Sequence, residues 1–215
     1  MKRKLLLFLF TVFITHSKAQ VSNCLSFDGV DDQVITQGAS ALIAGSNAMT
    51  LTCWVYPTNT TPTFPNYDGF CGFRDNAFAD FYMVQFGVGK VEARFRNDLG
   101  VNYDVIDSGM QVNVWQHYAF VYNEPELSLY RNGVLLGTIT ANGVISSTTE
   151  TFYIGNLIYQ STNYWLTGKV DEVSLWNRAL SPSEIQCMMT SAVNPTADSL
   201  KLYYDFNQGV AAGSN

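Results

Sequence analysis

The sequence predicts an all-β domain built as a two-sheet antiparallel β-sandwich, a jelly roll, with one short helix near residues 182–190. Three observations predict it. Short runs rich in Val, Ile, Thr, Tyr, Phe and Trp recur at intervals of roughly ten residues, separated by turn residues. Stretches with helical periodicity are nearly absent. Asn132-Gly133 stands between the apolar runs Leu127–Arg131 and Val134–Gly137, and Asn-Gly is the strongest short-range hairpin signal, because a type I′ turn needs positive φ at both central residues.

Taken in order, the chain opens with a basic Met1-Lys2-Arg3-Lys4, an apolar run from Leu5 to Ile14 and a small-residue cleavage site at Ser17-Lys18-Ala19, the pattern of a signal peptide over residues 1–19. The apolar run is roughly half the length a membrane span needs, and no later stretch is as apolar, so no membrane insertion of the mature chain is expected. The residues before Cys24 lack the small side chain of a lipid-anchor site. A single domain over residues 20–207 follows. Thr50–Tyr56 places Leu51, Cys53 and Val55 on one face and Thr52, Trp54 and Tyr56 on the other, which suits a central strand. Thr58–Asn66 is a polar, proline-bearing loop, either a binding rim or a plain connection. Trp115–Tyr122, Phe152–Ile154 and Lys169–Trp176 supply further strands, and Ala39–Ala44 a single turn. Pro182–Thr190 reads as the helix, with Ser181 as N-cap, Pro182 at its first position and Glu184 as capping-box partner. Leu200–Phe206 is a last strand, and residues 208–215 read as the start of a linker to further domains in the same polypeptide.

Cleavage removes four basic residues and leaves eight against eighteen acidic ones, a charge of −10. Nucleic acid is excluded as a partner, since phosphate contacts need clustered Lys and Arg. Four cysteines enter what the leader makes an oxidising compartment, so up to two disulfides are open. If Cys53 and Cys71 lie on hairpin neighbours they form one pair and Cys24 with Cys187 the other; buried free thiols are the alternative.

Catalytic groups are sparse. His117 is the one histidine left after cleavage, and strand parity sets it on the face of Trp115, Ala119 and Val121, as a core histidine. Glycoside hydrolysis needs two carboxylates facing one sugar, and no strand here carries such a set on one face: Asp104 and Asp107 have the wrong parity for a catalytic pair. No catalytic residue is assigned. Sugar faces stack on aromatic rings, so the loop Tyr159–Trp165 is the best candidate rim, with Tyr159, Asn163 and Tyr164 as ligand-binding residues ahead of Trp165. Asp28, Asp31 and Asp32 around Gly29 form either a calcium-binding turn or a solvated acidic turn.

Leu25–Asp32 (LSFDGVDD), Met49–Pro57 (MTLTCWVYP), Trp115–Val121 (WQHYAFV), Leu129–Gly133 and Gly168–Ser181 (GKVDEVSLWNRALS) resemble, in order, landmarks of concanavalin A-like lectin/glucanase domains of the laminin-G type. The likeness spans about residues 24–206. It implies a secreted or cell-surface module of a Bacteroidetes-type protein whose partner is a glycan or an extracellular protein, often with one structural calcium. By the same resemblance Asp171 is a calcium ligand, and it would share an ion with Asp28 if the first and last strands lie together; a buried carboxylate accepting backbone N–H bonds is the alternative. The function expected is non-catalytic recognition, with an adhesive spacer or a glycoside hydrolase as the other readings.

Overall fold

A computed structural model describes residues 23–75 and 77–207; the leader read in residues 1–19 and the linker read in 208–215 lie outside them. The strands are β1 (Leu25–Asp28), β2 (Val34–Thr36), β3 (Ala48–Pro57), β4 (Asp68–Phe73), β5 (Asp80–Gly87), β6 (Lys90–Arg96), β7 (Asn102–Asp107), β8 (Gln116–Asn123), β9 (Glu126–Arg131), β10 (Val134–Thr140), β11 (Phe152–Ile154), β12 (Ile158–Tyr159), β13 (Thr162–Asn163), β14 (Thr167–Trp176) and β15 (Leu200–Tyr204). A 3-10 turn spans Ala39–Leu42 and the helix α1 spans Pro182–Met188. Two antiparallel sheets form the sandwich. One has the order β1-β14-β3-β8-β9-β10 with β15 also on β14, and the other β2-β11-β4-β5-β6-β7.

Period-two alternation builds the interior. Leu51, Cys53 and Val55 of β3 point inward, as do Phe81 and Met83 of β5 and Val91, Ala93 and Phe95 of β6. The layers interlock through aromatic pairs, with Phe81 stacked on Phe120 at 4.7 Å and Phe95 tilted on Tyr122 at 4.6 Å. At one end Asp107 of β7 reaches the opposite sheet, where its Oδ2 accepts from Tyr118 Oη and Arg131 Nη1, each at 2.7 Å. The β9–β10 turn forms as its residues dictate, with φ 51° at Asn132 and 73° at Gly133. The helix starts on a complete capping box, Ser181 accepting from Glu184 N and Glu184 from Ser181 N.

Cys53 and Cys71 are not hairpin neighbours. They belong to opposite sheets and meet in the core, where the Cys71 thiol is hydrogen-bonded to Cys53. Strand spacing in the sequence could not show this, because facing across a sandwich leaves no local pattern. All four cysteines are free thiols in the structure, so neither expected disulfide is formed in it.

The seven-stranded sheet is covered on its outer side. Trp176, Ala119 and Val121 pack under Leu180, Ile185 and Val193 of the α1 segment. Among the described residues the outer side of the six-stranded sheet carries no helix, and loops rise over only part of it.

Candidate functional site

On β5 the alternation that sends Phe81 and Met83 inward turns Tyr82, Val84 and Phe86 outward; on β6 it turns Glu92 and Arg94 outward, and on β7 Asp104. These side chains form a polar ladder across three strands. Arg94 makes a bidentate pair with Asp104, Nε to Oδ1 at 2.7 Å and Nη2 to Oδ2 at 3.0 Å, and also reaches Glu92 Oε2 at 3.3 Å. Tyr82 Oη donates to Glu92 Oε1 at 2.8 Å.

Two loops wall this ladder. The β12–β13 hairpin turns through Gln160 and Ser161, both left-handed at φ 46° and 68°, and holds Tyr159 beside Tyr164. The 58–67 loop brings Phe64 and Tyr67, whose rings meet at 6.0 Å, and Tyr67 lies edge-on to Tyr164 at 5.2 Å. Arg74, just past the end of β4, enters between them. Its guanidinium carbon lies 4.2 Å from the Tyr159 ring centre, 5.0 Å from that of Tyr82 and 5.4 Å from that of Tyr164. Together these groups enclose a groove of ≈ 250 Å³, lined by Phe64, Tyr67, Arg74, Glu92, Arg94 and Tyr159 among others. That is near the lower end, about 300 Å³, of the range for small-ligand sites. A second depression of ≈ 330 Å³ beside α1 has Tyr130 as its one aromatic ring and offers no comparable platform.

The residues read from the sequence are placed unevenly. Tyr159 is half-buried and lines the groove. Tyr164 also lines it but is 2% exposed, so it forms the floor and not the rim. Asn163 is exposed and not among the lining residues; its Oδ1 accepts from Asn156 Nδ2 at 2.9 Å, which stiffens the hairpin base. Arg74, Glu92 and Arg94 were not anticipated. The alternation of β6 would have set Glu92 and Arg94 on one face, but nothing local marks Arg74.

Asp28 and Asp171 do not meet. The strands β1 and β14 pair as expected, yet the register sets Asp28 opposite Thr167, four residues along β14 from Asp171, or about 13 Å. One calcium cannot bridge that gap, and among the described residues no three His, Cys, Asp or Glu side chains cluster as a metal site would need. Asp28 is exposed and closes its own turn, Oδ1 accepting from Val30 N at 2.9 Å. Asp171 is buried, accepts from Glu172 N at 2.9 Å, and is pushed up to about 7 by burial. That is the buried-carboxylate alternative. Asp68 is a second such group, pushed up to about 6 by burial, while Thr167 N and Asn59 Nδ2 donate to it and tie β4 to β14 and to the groove loop. His117 is buried edge-on to Trp54 at 5.4 Å, and burial pushes it down to about 4, so it is neutral near pH 7.

Solved structures with this architecture include a heptameric SAP-like pentraxin from Limulus polyphemus, with 13% identity over 84% of this chain and 90% of that one at a TM-score of 0.60. The CBM40 of the Ruminococcus gnavus IT-sialidase, bound to α2,3-sialyllactose, aligns at 14% identity over 78% of this chain and 98% of its own, TM-score 0.60. The binding domain of botulinum neurotoxin DC, in complex with rat synaptotagmin II, aligns at 13% over 76% of this chain and 41% of its own, TM-score 0.55. At these identities the likeness is one of fold. No curated protein matches the sequence. Residues 28–186 match the Laminin_G_3 family, described as concanavalin A-like lectin/glucanases superfamily, and that stretch runs from the Asp28 turn through both sheets to α1. The sandwich, its register and this match agree: the chain belongs to the laminin-G-type branch of the concanavalin A-like lectin/glucanase superfamily.

Proposed function

We propose that this domain is a non-catalytic recognition module that binds a saccharide in the groove over β4, β5 and β6. The observation that carries the reading is the convergence, on the one sheet face without a helix, of Phe64, Tyr67 and Tyr159 rings with Arg74, Arg94 and Glu92. Sugars are held in this way, an apolar ring face on an aromatic platform and hydroxyls on charged or amide groups. The CBM40 neighbour is bound to sialyllactose, which supports a glycan as partner; the neurotoxin domain with synaptotagmin keeps an extracellular protein as the other kind of partner on this fold.

The groove is poorly suited to glycoside hydrolysis, which needs one carboxyl as proton donor and a second some 5–10 Å away. Glu92 and Asp104 both accept hydrogen bonds from the Arg94 guanidinium, the opposite of what a proton donor requires. Calcium is not part of the proposal, because Asp28 and Asp171 do not fit a shared ion. A secreted or cell-surface location rests on the leader read in residues 1–19, and no helix among the described residues is long and apolar enough to cross a membrane.

A glycan array probed with the purified chain tests the reading. The expected result is a family of related saccharides retained by the wild type and lost by Tyr159→Ala. Silence across the array from a folded protein would replace recognition of sugars by the spacer reading, and reducing-sugar release from any retained glycan would replace it by the enzyme.

A further inference from the structure

The groove holds one guanidinium that forms no ion pair among the described residues. Among the described residues Arg94, Arg96, Arg131 and Arg178 each form an ion pair, with Glu92 and Asp104, Asp80, Asp107 and Glu184 respectively, whereas Arg74 forms none. The acidic groups near it are engaged first by others, although Asp80 also feels its charge, after that of Arg96. Asp80 Oδ2 lies 3.1 Å from Arg96 Nη2, and Asp75 caps its own turn, Oδ1 accepting from Ala77 N at 2.7 Å and Phe78 N at 2.8 Å. Glu92 and Asp104 are taken by Arg94. The Arg74 Nε is moreover buried without a hydrogen-bond acceptor, a costly state for a charged donor.

Three tyrosine rings hold this guanidinium by their faces. Ring faces attract the cation without accepting its N–H groups, and among the described residues only the Tyr164 hydroxyl is in hydrogen-bonding reach of the guanidinium, so most of its in-plane hydrogen-bonding capacity is left for something else. An oxyanion is the partner that fork geometry suits best. The chain as a whole is acidic, but charges more than a Debye length of about 8–10 Å away are screened at ordinary salt, so the local guanidinium governs what the groove attracts.

We infer that the saccharide recognised in this groove carries an anionic substituent, a carboxylate or a sulfate ester, which pairs with Arg74 while a neighbouring sugar face rests on the Tyr67 and Phe64 rings. This rests on the reading of the groove as a saccharide site and adds the charge class of the ligand. Arg94, already neutralised by two carboxylates, serves as a hydroxyl donor and not as a second anion anchor.

The test is titration calorimetry on the purified chain with matched oligosaccharides: a neutral member, its uronic- or sialic-acid counterpart and its sulfated counterpart, each at low and high salt. Expected is at least tenfold tighter binding of one acidic member than of the neutral one, an advantage that shrinks as salt rises. The carboxylate and sulfate arms tell which oxyanion is preferred. Arg74→Gln should bring the acidic member down to the neutral one's affinity, Arg74→Lys should keep part of the difference, and far-ultraviolet circular dichroism checks that both variants are folded. Equal affinity of the wild type for neutral and acidic members would overturn this inference and leave saccharide recognition standing, a comparison that needs no variant. No binding by any member would overturn the recognition reading itself.

Discussion

The guanidinium carbon of Arg74 sits 4.2 Å from the centre of the Tyr159 ring, and this contact joins the exit of β4 to the β12–β13 hairpin across the face of the six-stranded sheet. It turns two segments 85 residues apart into one wall of a groove. Both the platform and its charge therefore depend on a loop-to-loop contact, and they should respond to substitution separately from the core.

Phe64 is 60% exposed, whereas Tyr164 is buried and packs on Tyr67 and Tyr159. Phe64→Ala should weaken saccharide binding by about 1 kcal/mol, the worth of one aromatic contact, with an unchanged thermal midpoint. Tyr164→Ala should instead lower stability by about 3 kcal/mol, because it empties the floor. Calorimetric titration and thermal unfolding on the two variants separate these effects; equal losses of stability would show that Phe64 is not a surface residue.

Two buried carboxylates, Asp171 and Asp68, set the pH dependence against the opposing contribution of the buried His117. Each has a folded pKa, about 7 and about 6, above its unfolded value of 3.8. The stability linked to each is fully present below about pH 4 and is lost as pH rises through the folded value, on the order of 4 kcal/mol for Asp171 and 3 kcal/mol for Asp68 as upper bounds. His117, whose folded value of about 4 lies below its unfolded 6.5, opposes this loss up to about pH 6.5, so the midpoint should fall most clearly from pH 6.5 to pH 8, and Asp171→Asn, which keeps the acceptor for Glu172 N, should flatten that fall. Glu184, pulled down to about 2 by Arg178, acts only at lower pH. Stability that climbs from pH 6.5 to pH 8, above the range in which His117 titrates, would contradict the burial of Asp171.

Asp107→Ala should cost about 3 kcal/mol in denaturant unfolding, since it strips the acceptor from the buried Tyr118 hydroxyl and from Arg131 at once. Tyr118→Phe, which removes a donor and leaves Asp107 its arginine, should cost about 1 kcal/mol. A coupling energy near zero in the double-mutant cycle of Asp107 with Tyr118 would mean the hydrogen bond is not made in solution.

The cysteines should label in a fixed order under reducing conditions. Cys187 is exposed and should react first; Cys24 is half-buried, with burial raising its thiol pKa, and should follow. Cys53 and Cys71, 0% exposed in the core, should react only as fast as the chain unfolds. Alkylation followed by peptide mass spectrometry reads the order, and rapid native labelling of Cys53 would contradict its placement between the sheets.

How far the sequence carried is visible in particular elements. The β3 alternation, the Asn132-Gly133 turn and the Ser181–Glu184 capping box are local, each requiring information from a few adjacent residues, and all three stand in the structure as read. The failures are non-local. The runs of Cys53 and Cys71 are each strand-like and compatible with one hairpin or with buried free thiols, and the layering puts them in opposite sheets within the core. Asp28 and Asp171 lie on paired strands as anticipated, but register, which no single strand encodes, holds them about 13 Å apart.

The sequence by itself determined the β-sandwich class, the family, the α1 helix and the lack of an acidic catalytic strand pattern, because alternation, turn chemistry and capping are written in neighbouring residues. Only the tertiary structure decided where ligand chemistry gathers. Arg74 acquires its character from Tyr82, Tyr159 and Tyr164, three rings delivered by a strand and a distant hairpin, and no pattern within either segment specifies that they converge on one guanidinium.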